Sequence, residues 1–411
     1  MFFALKGENF DGNAFALKAL EAGAAYAVVD AGSRFDGASD RIIAVPNTLE
    51  ALQGLARAHR RKLGVPVLGL TGTNGKTTTK NLIHSVLATK YKVCATEGNL
   101  NNDIGVPLSL LKITKDTEIA VIEMGANHPD DIAHLVAVAE PDYGLITNVG
   151  KAHLLGFGSF EGVKKAKGQL YDYIAAHGRA IFLNVDDPVL SGMAGERPGL
   201  AIVPYGPNHW NVLLLPSDAE HPFLRLAIPE DLGESDCLLG VDTHLVGAYN
   251  ATNVLTAIAV GLFFEVPLDD AIAAVSSYVP ANSRSQMTKT SRNTLILDAY
   301  NANPTSMAAA LDNFDNSLSD KKIVMLGDMR ELGADSVAEH ENILRRLSGM
   351  KLSQIFLVGE EFGKALKTVP LDARWFPTSE ALSAEVNDIS EALILVKGSR
   401  GIMMEKVVPS L

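Results

Sequence analysis

The most chemically informative stretch is glycine-rich and reads Thr71-Gly72-Thr73-Asn74-Gly75-Lys76-Thr77-Thr78, between an apolar run and a helical pattern. Glycines let backbone N–H groups curl around an anion, and a helix N-terminus adds partial positive charge. In such a loop Lys76 reaches the β- and γ-phosphate oxygens and the Thr77 hydroxyl can ligate Mg²⁺. A turn that binds nothing is the alternative, but the combined pattern favours ATP or GTP. The predicted nucleotide-binding residues are Gly72, Thr73, Asn74, Gly75, Lys76, Thr77 and Thr78.

Two further side chains follow predicted strands of the same sheet. Glu123 ends the apolar run 119–123, and ligands bind at the carboxyl ends of parallel strands in open α/β sheets. Its carboxylate is the kind of hard oxygen ligand that Mg²⁺ prefers, although a surface glutamate at a strand end is the alternative. His153 follows the strand 143–147, and its spacing alone leaves a structural role and a metal-ligating role equally open.

Lys167 occupies an unusual place on a predicted helix that begins after Ser159, a plausible N-cap. At 3.6 residues per turn it falls within about 40° of Val163, Leu170 and Ile174, on the apolar face. An isolated ammonium there is expensive, so it must snorkel to solvent, pair with an acid or be modified. Periodicity alone favours snorkelling. The other possibility is that a neutral, desolvated lysine reacts with CO₂, giving a carbamate that could bind Mg²⁺.

The elements that must position these residues alternate between strands and helices, which predicts an α/β fold with a parallel, doubly wound sheet. At 411 residues the chain is too long for one ordinary core, and we predict three α/β domains. The basic run 57–62 is either a linker or a solvated helix end, and the Pro- and Gly-rich stretch 204–240 has no assignable pattern. Predicted helices include 15–21 and 250–264. The predicted strands are 25–29, 42–45, 65–70, 119–123, 143–147, 179–183, 294–298, 322–326, 354–358 and 392–396.

Composition limits the class of protein. The net charge of −12 argues against nucleic-acid binding, which needs a basic surface. No apolar run approaches the roughly 18 residues of a membrane helix, and no secretion signal opens the chain. Cys94 and Cys237 match neither a metal spacing nor a disulfide spacing. We therefore expect a cytoplasmic protein that neither binds nucleic acid nor inserts into a membrane.

Several motifs resemble those of the Mur ligases of peptidoglycan synthesis, and the resemblance covers nearly the whole chain. The central ones are 71–78, Glu123-Met124-Gly125-Ala126-Asn127-His128, 147–153 and Ala166-Lys167-Gly168. The carboxyl-terminal ones look like the branch of the family that adds D-alanyl-D-alanine. They are Asp298-Ala299-Tyr300-Asn301-Ala302-Asn303-Pro304, Gly327-Asp328-Met329-Arg330-Glu331-Leu332-Gly333 and Lys397-Gly398-Ser399-Arg400.

The resemblance implies a UDP-sugar-binding domain at 1–62, a central P-loop ATPase domain at 63–279 and a Rossmann-like domain at 280–411. It implies that Lys167 is carbamylated, that Lys76, His153 and Lys167 are catalytic, and that Thr77, Glu123, His153 and Lys167 surround Mg²⁺. The implied ATP contacts beyond the loop are Asn250, Asn253, Arg284 and Asp298. The implied substrate contacts are Asn99, Asn101, Asn102, Asn301, Asn303, Lys397, Ser399 and Arg400.

Some of these third-domain residues also make sense from their sequence context. Asn303 and Pro304 fit an N-cap and a first helical residue. Lys397 and Arg400 follow a strand and offer cations where a carboxylate could dock, although exposed basic residues at a strand end are the alternative.

The implied reaction uses ATP to convert the carboxylate of a UDP-N-acetylmuramoyl tripeptide to an acyl phosphate, which the amine of D-Ala-D-Ala then attacks. A monomer that closes on binding is expected. Met1 falls inside the implied UDP-sugar domain, so we expect either that this domain lacks its start or that the true start of the chain lies further upstream. The alternatives are a ligase of the same family that adds a single amino acid, an inactive relative with an incomplete UDP site, and a P-loop switch or motor. A GTPase would carry a guanine-reading Asn-Lys-x-Asp, which the sequence lacks.

Overall fold

A computed structural model of the chain describes residues 1–216, 222–233, 235–280, 284 and 286–411. The first part is a parallel sheet in the order β1-β4-β5, with a short antiparallel hairpin, β2-β3. A small apolar cluster around Ala16, Leu20 and Val29 holds it together. Its strands are β1 (Phe2–Phe3), β2 (Lys6–Gly7), β3 (Phe10–Asp11), β4 (Ala27–Asp30) and β5 (Ile42–Val45), and its helices are α1 (Ala16–Glu21) and α2 (Thr48–Leu63).

The basic run 57–62 is the end of α2 and fastens this first part to the next. Arg60 Nη2 donates to Asp142 Oδ2 at 2.8 Å, and Arg61 forms an ion pair with Glu140. Both interpretations of the run, a linker and a helix end, are therefore partly correct, because the helix end also connects to the central sheet.

The central part is a parallel six-stranded sheet in the order β11-β10-β9-β6-β8-β7. The strands that follow β6 in the chain lie first on one side of it (β7 and β8) and then on the other (β9, β10 and β11). Ligands bind at such a topological switch point. Its strands are β6 (Val67–Thr71), β7 (Val93–Ala95), β8 (Ile119–Glu123), β9 (Tyr143–Ile146), β10 (Ala180–Asn184) and β11 (Ile202–Tyr205). Its helices are α3 (Lys76–Leu87), α4 (Gly105–Leu110), α5 (Asp131–Ala139), α6 (Leu154–Phe157), α7 (Phe160–His177), α8 (Pro188–Gly195), α9 (Ala251–Phe263) and α10 (Leu268–Ser277).

Helices cover both faces of this sheet, as the doubly wound fold requires. Leu68 and Leu70 of β6 pack with α3, α9 and α10, whereas Val67 packs with α4, α5, α7 and α8 on the other face. The described part of 204–240, which has no assignable pattern in the sequence, contributes to an antiparallel sheet. Its strands are β12 (Leu213–Leu215), β13 (Arg225–Pro229) and β14 (Leu238–Asp242).

The third part is a second six-stranded sheet, in the order β15-β16-β20-β17-β18-β19, parallel except for β15. Its strands are β15 (Gln286–Lys289), β16 (Thr294–Asp298), β17 (Lys322–Gly327), β18 (Gln354–Val358), β19 (Arg374–Phe376) and β20 (Leu393–Lys397). Its helices are α11 (Pro304–Asp315), α12 (Ser336–Ser348), α13 (Glu360–Thr368) and α14 (Ser379–Ser383). The α/β prediction is confirmed, and the predicted strands differ from those observed by at most one or two residues at an end. Within the described ranges no helix is long and apolar enough to cross a membrane.

Asp30 joins the elements of the first part. Its carboxylate pairs with Lys6 Nζ at 2.8 Å and accepts hydrogen bonds from Asn13 Nδ2 at 3.0 Å and Thr48 N at 3.1 Å. These contacts, that of Lys6 foremost, lower the pKa of the Asp30 carboxyl to about 2. Folding therefore favours the ionised form, so the stabilisation is complete above pH about 4 and is lost as the pH falls towards 2.

We expect Asp30→Asn to loosen this part of the molecule at neutral pH, because the new amide cannot pair with Lys6 as a carboxylate does. Backbone amides of β4 and β5 should exchange with deuterium about three to ten times faster, measured by mass spectrometry at pH 7. The exposed Asp40 supplies the control, as Asp40→Asn makes the same chemical change on the same part of the chain. Equal exchange in the two variants would show that Asp30 does not have this role.

Candidate active site

The predicted phosphate loop joins β6 to α3. Gly75 is the residue before the helix, at φ 78°, and Lys76 is the first helical residue. The Lys76 ammonium donates to the carbonyl oxygens of Gly72 at 2.7 Å and Thr73 at 3.1 Å, so it lies across the loop that precedes it. Burial lowers the pKa of Lys76, and the nearby Glu123 carboxylate opposes that shift. A half-buried cation at the start of a helix that follows a phosphate loop is suited to an anionic ligand.

At two positions of the loop, neighbouring residues lie so close that only glycine fits. A Cβ on Gly72 would lie 1.9 Å from Thr147 Oγ1, and one on Gly75 would lie 2.7 Å from Asn253 Oδ1. Gly75 also has a positive φ, which other residues adopt only with strain. The loop therefore packs directly against β9 on one side and α9 on the other.

Asn74 is held by the residues that follow β9. Its backbone N–H donates to Asn148 Oδ1 at 3.0 Å, and its carbonyl accepts from Thr147 Oγ1 at 2.7 Å and Asn148 Nδ2 at 3.0 Å. Neither Thr147 nor Asn148 is among the predicted site residues. Their polar character immediately after a buried strand of the same sheet is the signal that could have identified them.

Glu123 ends β8 beside the loop, as predicted. The Thr77 hydroxyl donates to its Oε2 at 3.1 Å, and Asn101 Nδ2 donates to its Oε1 at 2.9 Å. The Glu123 backbone N–H donates to Thr96 Oγ1 at 3.0 Å, which fixes the strand end. A carboxylate, a hydroxyl and an amide from three separate segments thus meet at the start of α3.

Lys167 lies on α7, which Ser159 caps by accepting from Gly162 N at 3.1 Å, as predicted. The snorkelling that periodicity favours does not occur, because Lys167 is only 2% exposed. Within the described residues its ammonium has no hydrogen-bond or ion-pair partner. Burial lowers the pKa of Lys167 well below its ordinary value, and the charge of Lys76 lowers it further. A larger fraction of this amine is therefore neutral, the form that reacts with CO₂.

His153 follows β9 in a left-handed conformation, at φ 51°. Its Nδ1 is in hydrogen-bond contact with the carboxylate of Glu331, a residue of the third part of the chain. Burial lowers the pKa of the His153 imidazole, and Glu331 opposes the shift. Glu331 belongs to a motif that the sequence singles out but is not itself a predicted site residue.

The third part contributes Asp298 and Lys397, which lie opposite each other on β16 and β20. Lys397 Nζ pairs with Asp298 Oδ2 at 2.5 Å and also contacts Asn301 O at 3.3 Å. The predicted carboxylate-docking cation is thus already paired. Ser399 contacts its own part of the molecule, donating to Ala302 O at 3.2 Å and accepting from Arg330 N at 2.9 Å.

Asn303 has two contacts that link the parts. It caps α11 by accepting from Ser306 N at 2.9 Å, as predicted, and its Nδ2 donates to Asn74 Oδ1 at 2.7 Å. Nearby, two cations approach the ring of Tyr300. The guanidinium carbons of Arg284 and Arg400 are 3.5 Å and 5.3 Å from the centre of its ring. Tyr300 is a further cleft residue that sequence reasoning missed.

Asn250 and Asn253 form a short hydrogen-bonded chain towards α3. Asn253 Nδ2 donates to Asn250 Oδ1 at 2.8 Å, and Thr79 Oγ1 donates to Asn253 Oδ1 at 3.0 Å. Both asparagines are buried. The first residues of α9 are therefore fixed against the helix that follows the phosphate loop.

Most of the predicted residues line one cleft of about 770 Å³ between the central and third parts. Gly72, Lys167 and Ser399 are not among its lining residues, and Arg400 lines an adjoining cavity of about 800 Å³ that shares Thr77, Asn99, Arg284 and Tyr300 with it. The predicted residues that line the cleft are Thr73, Asn74, Gly75, Lys76, Thr77, Thr78, Asn99, Asn101, Asn102, Glu123, His153, Asn250, Asn253, Arg284, Asp298, Asn301, Asn303 and Lys397.

Comparison with known proteins matches each part of the chain to one family. Residues 1–60 match the Mur ligase family catalytic domain, 70–261 the Mur ligase middle domain and 283–400 the Mur ligase glutamate ligase domain. A relative from Bacillus subtilis (strain 168), named UDP-N-acetylmuramoyl-tripeptide–D-alanyl-D-alanine ligase, is 35% identical over all of this chain and 90% of its own length. The chain belongs to the Mur ligase family. The Escherichia coli (strain K12) protein of the same name is 32% identical with the same coverage.

Solved Mur ligase structures share the whole architecture. MurF from Acinetobacter baumannii has a TM-score of 0.86 and 29% identity, covering 99% of this chain and 89% of that one. MurF ligase from Thermotoga maritima in complex with ADP has a TM-score of 0.85 and 27% identity, covering 99% and 92%. The predicted membership of the Mur ligases is therefore confirmed.

We expect Gly75→Ala in this Mur ligase to weaken nucleotide binding about tenfold, because a Cβ at positive φ strains the loop and displaces Asn253. The dissociation constant of a fluorescent ATP analogue, measured by titration, checks this. Gly192→Ala is the matched control, since nothing lies within 4 Å of a Cβ at that position on α8. An affinity that is the same in both variants would rule out the contact as a determinant of nucleotide binding.

Proposed function

We propose that this chain is the ligase that joins D-alanyl-D-alanine to a UDP-N-acetylmuramoyl tripeptide, with cleavage of ATP to ADP and phosphate. The observation that carries the proposal is a single cleft that has the phosphate loop and Glu123 on one wall and Asp298, Tyr300 and Lys397 on the other. The names of the relatives from Bacillus subtilis and Escherichia coli support the choice of substrates.

The residues beside the phosphate loop fit Mg²⁺. Glu123 and Thr77 offer hard oxygen atoms, and the Thr77 hydroxyl lies 3.1 Å from Glu123 Oε2. Mg²⁺ is usually held by one or two carboxylates together with substrate phosphates, and it would neutralise charge on the transferred phosphoryl group. Glu123, Thr77 and His153 are the residues that would hold it.

Lys167 is proposed to carry a carbamate. Its neutral amine attacks the carbon of CO₂ to form an N–C bond and releases one proton, giving a carboxylate-like anion. Two features support this: its burial without a partner among the described residues, and its position near Lys76, whose positive charge an anion would offset. The carbamate would supply a further anionic ligand of the Mg²⁺ site, beside Glu123, Thr77 and His153.

The reaction then proceeds in two steps. A carboxylate oxygen of the tripeptide bonds to the γ-phosphorus as the bond to the β–γ bridging oxygen breaks and ADP leaves. Next the D-Ala-D-Ala amine attacks the acyl carbon, a tetrahedral intermediate forms, the nitrogen loses a proton and phosphate departs. Lys76 and the N-terminus of α3 hold the nucleotide phosphates in line, which is the main requirement of such a transfer.

The wall formed by the third part has two roles in this proposal. Lys397, whose ammonium Asp298 and Asn301 O orient, lines the cleft where the acceptor would enter. Asn301 lines the same cleft, and Arg400 lines the adjoining cavity. The wall also excludes water, to which an acyl phosphate would be lost. The Asn99, Asn101 and Asn102 segment of the opposite wall would contact the muramoyl peptide, and Asn250, Asn253 and Arg284 the nucleotide.

The domain assignment belongs to the same proposal: 1–62 binds the UDP-sugar, 63–279 binds ATP and 280–411 supplies the acceptor side. We place the enzyme in the cytoplasm, where ATP is available and where its two free cysteines stay reduced. Because one chain supplies both walls of the cleft, a monomer is sufficient for activity.

A phosphate-release assay with UDP-N-acetylmuramoyl tripeptide and ATP tests the function. We expect phosphate release with D-Ala-D-Ala and at most background with single amino acids, and mass spectrometry should show the muramoyl pentapeptide. Turnover with a single amino acid instead would make the chain a different ligase of the family. Release without either substrate, or none with any acceptor, would contradict the proposal.

Lys167→Ala should lower turnover by roughly 10²-fold or more, because the charge that it would contribute near the phosphates is lost. Added formate or acetate should restore part of the activity by occupying the vacated position. Lys165→Ala, on the exposed side of the same helix, is the control and should retain normal turnover. Normal turnover in Lys167→Ala would mean that the carbamate assignment is wrong.

A further inference from the structure

A short segment of the third part, around Glu331, reaches across to the loop that carries His153. Glu331 itself adopts a left-handed conformation, at φ 64°, which is uncommon for a residue with a long side chain. Such strain persists only where surrounding contacts impose it, and it concentrates at functional positions. Here the conformation directs the carboxylate to His153 Nδ1.

This contact determines how the imidazole can act. A carboxylate only accepts hydrogen bonds, so the hydrogen shared with Glu331 is on Nδ1 of the ring. Nε2 is then the nitrogen that can face the cleft and offer a lone pair. Histidines that ligate metals commonly donate their other ring N–H to a carboxylate, which fixes both the tautomer and the ring orientation.

Two more contacts hold the segment in register with the loop. The Leu155 N–H donates to Glu331 O at 3.2 Å, and Gly333 lies against Leu155, so closely that an added Cβ would come within 3.3 Å of Leu155 Cδ1. The carboxylate therefore reaches His153 only when the third part of the chain lies against the central part. The orientation of the His153 side chain is thus tied to the position of the third part.

We propose that Glu331 is a positioning residue that orients His153 Nε2 towards the metal–phosphate site when the third part docks. The metal site is then complete only in the closed arrangement of the two parts. This inference rests on the proposed role of His153 as a metal ligand, and Glu331 acts through that histidine without touching substrate.

The test compares three variants of the full-length chain. Glu331→Gly removes the carboxylate at a φ that glycine adopts freely, so misfolding does not obscure the result. Glu331→Gln keeps an oxygen acceptor but loses the charge. Glu339→Gln is the control, because Glu339 pairs with Lys151 Nζ at 2.7 Å across the same boundary without touching His153.

The first measurement is Mn²⁺ binding in the presence of ADP, followed by the electron paramagnetic resonance signal of free Mn²⁺. The second is the dependence of kcat on Mg²⁺ concentration. We expect Glu331→Gly to weaken Mn²⁺ binding about tenfold or more and to raise the Mg²⁺ requirement in parallel. Glu331→Gln should fall between wild type and Glu331→Gly, and Glu339→Gln should bind Mn²⁺ within about twofold of wild type.

Unchanged Mn²⁺ binding in Glu331→Gly would overturn the proposal. An equal loss in Glu339→Gln would also overturn it, because general tethering of the two parts would then explain the effect. Because Mn²⁺ binding with ADP requires neither tripeptide nor acceptor, these outcomes are read independently of whether the chain ligates D-Ala-D-Ala.

Discussion

The rest of the active site depends on the hydrogen bonds that fix Asn74. A phosphate loop can present its N–H groups to an anion only if its carbonyl groups are turned away and satisfied elsewhere. Thr147 and Asn148 donate to the Asn74 carbonyl, Asn148 also accepts from the Asn74 N–H, and Asn303 of the third part donates to the Asn74 side chain. Since Asn303 also caps α11, the same residue ties the orientation of that helix to the shape of the loop.

The charge near the phosphate loop differs from that of the chain as a whole. Although the chain as a whole is acidic, Lys80 and Lys167 are buried and Lys76 is half-buried near the loop, and desolvation lowers the pKa of each. Buried cations without full compensation cost stability, so a site of this kind is most stable when anions occupy it. Nucleotide phosphates and a carbamate are anions of the required kind. The local field, not the net charge, therefore accounts for binding of a polyanion.

Local signals predicted the parts of the site that depend on neighbouring residues. The phosphate loop, the Ser159 and Asn303 caps and the place of Glu123 at a strand end all follow from short stretches of sequence. The Lys397–Asp298 pair could not be predicted from a short stretch of sequence, because β16 and β20 are adjacent in space yet about a hundred residues apart in the chain. Tyr300, Asn148 and Glu331 were missed for the same reason, since their partners come from distant segments. Lys167 shows the limit of periodicity: the pattern placed it on the apolar face but could not show that the face is fully covered.

Several of the described contacts between the central and third parts are polar, although Phe223 and Val246 of the central part also pack against the apolar core of the third part. The polar contacts include Asn74 with Asn303, Lys151 with Glu339 and His153 with Glu331, and contacts of this type contribute on the order of 1 kcal/mol each. Polar boundaries between domains of one chain permit relative motion, so the third part can open to admit substrates and close again. Each of these contacts also involves the phosphate loop or the loop that carries His153. In the proposed reaction, closing would position these groups and exclude water in the same movement, which is what an acyl phosphate requires to reach the amine before it is hydrolysed.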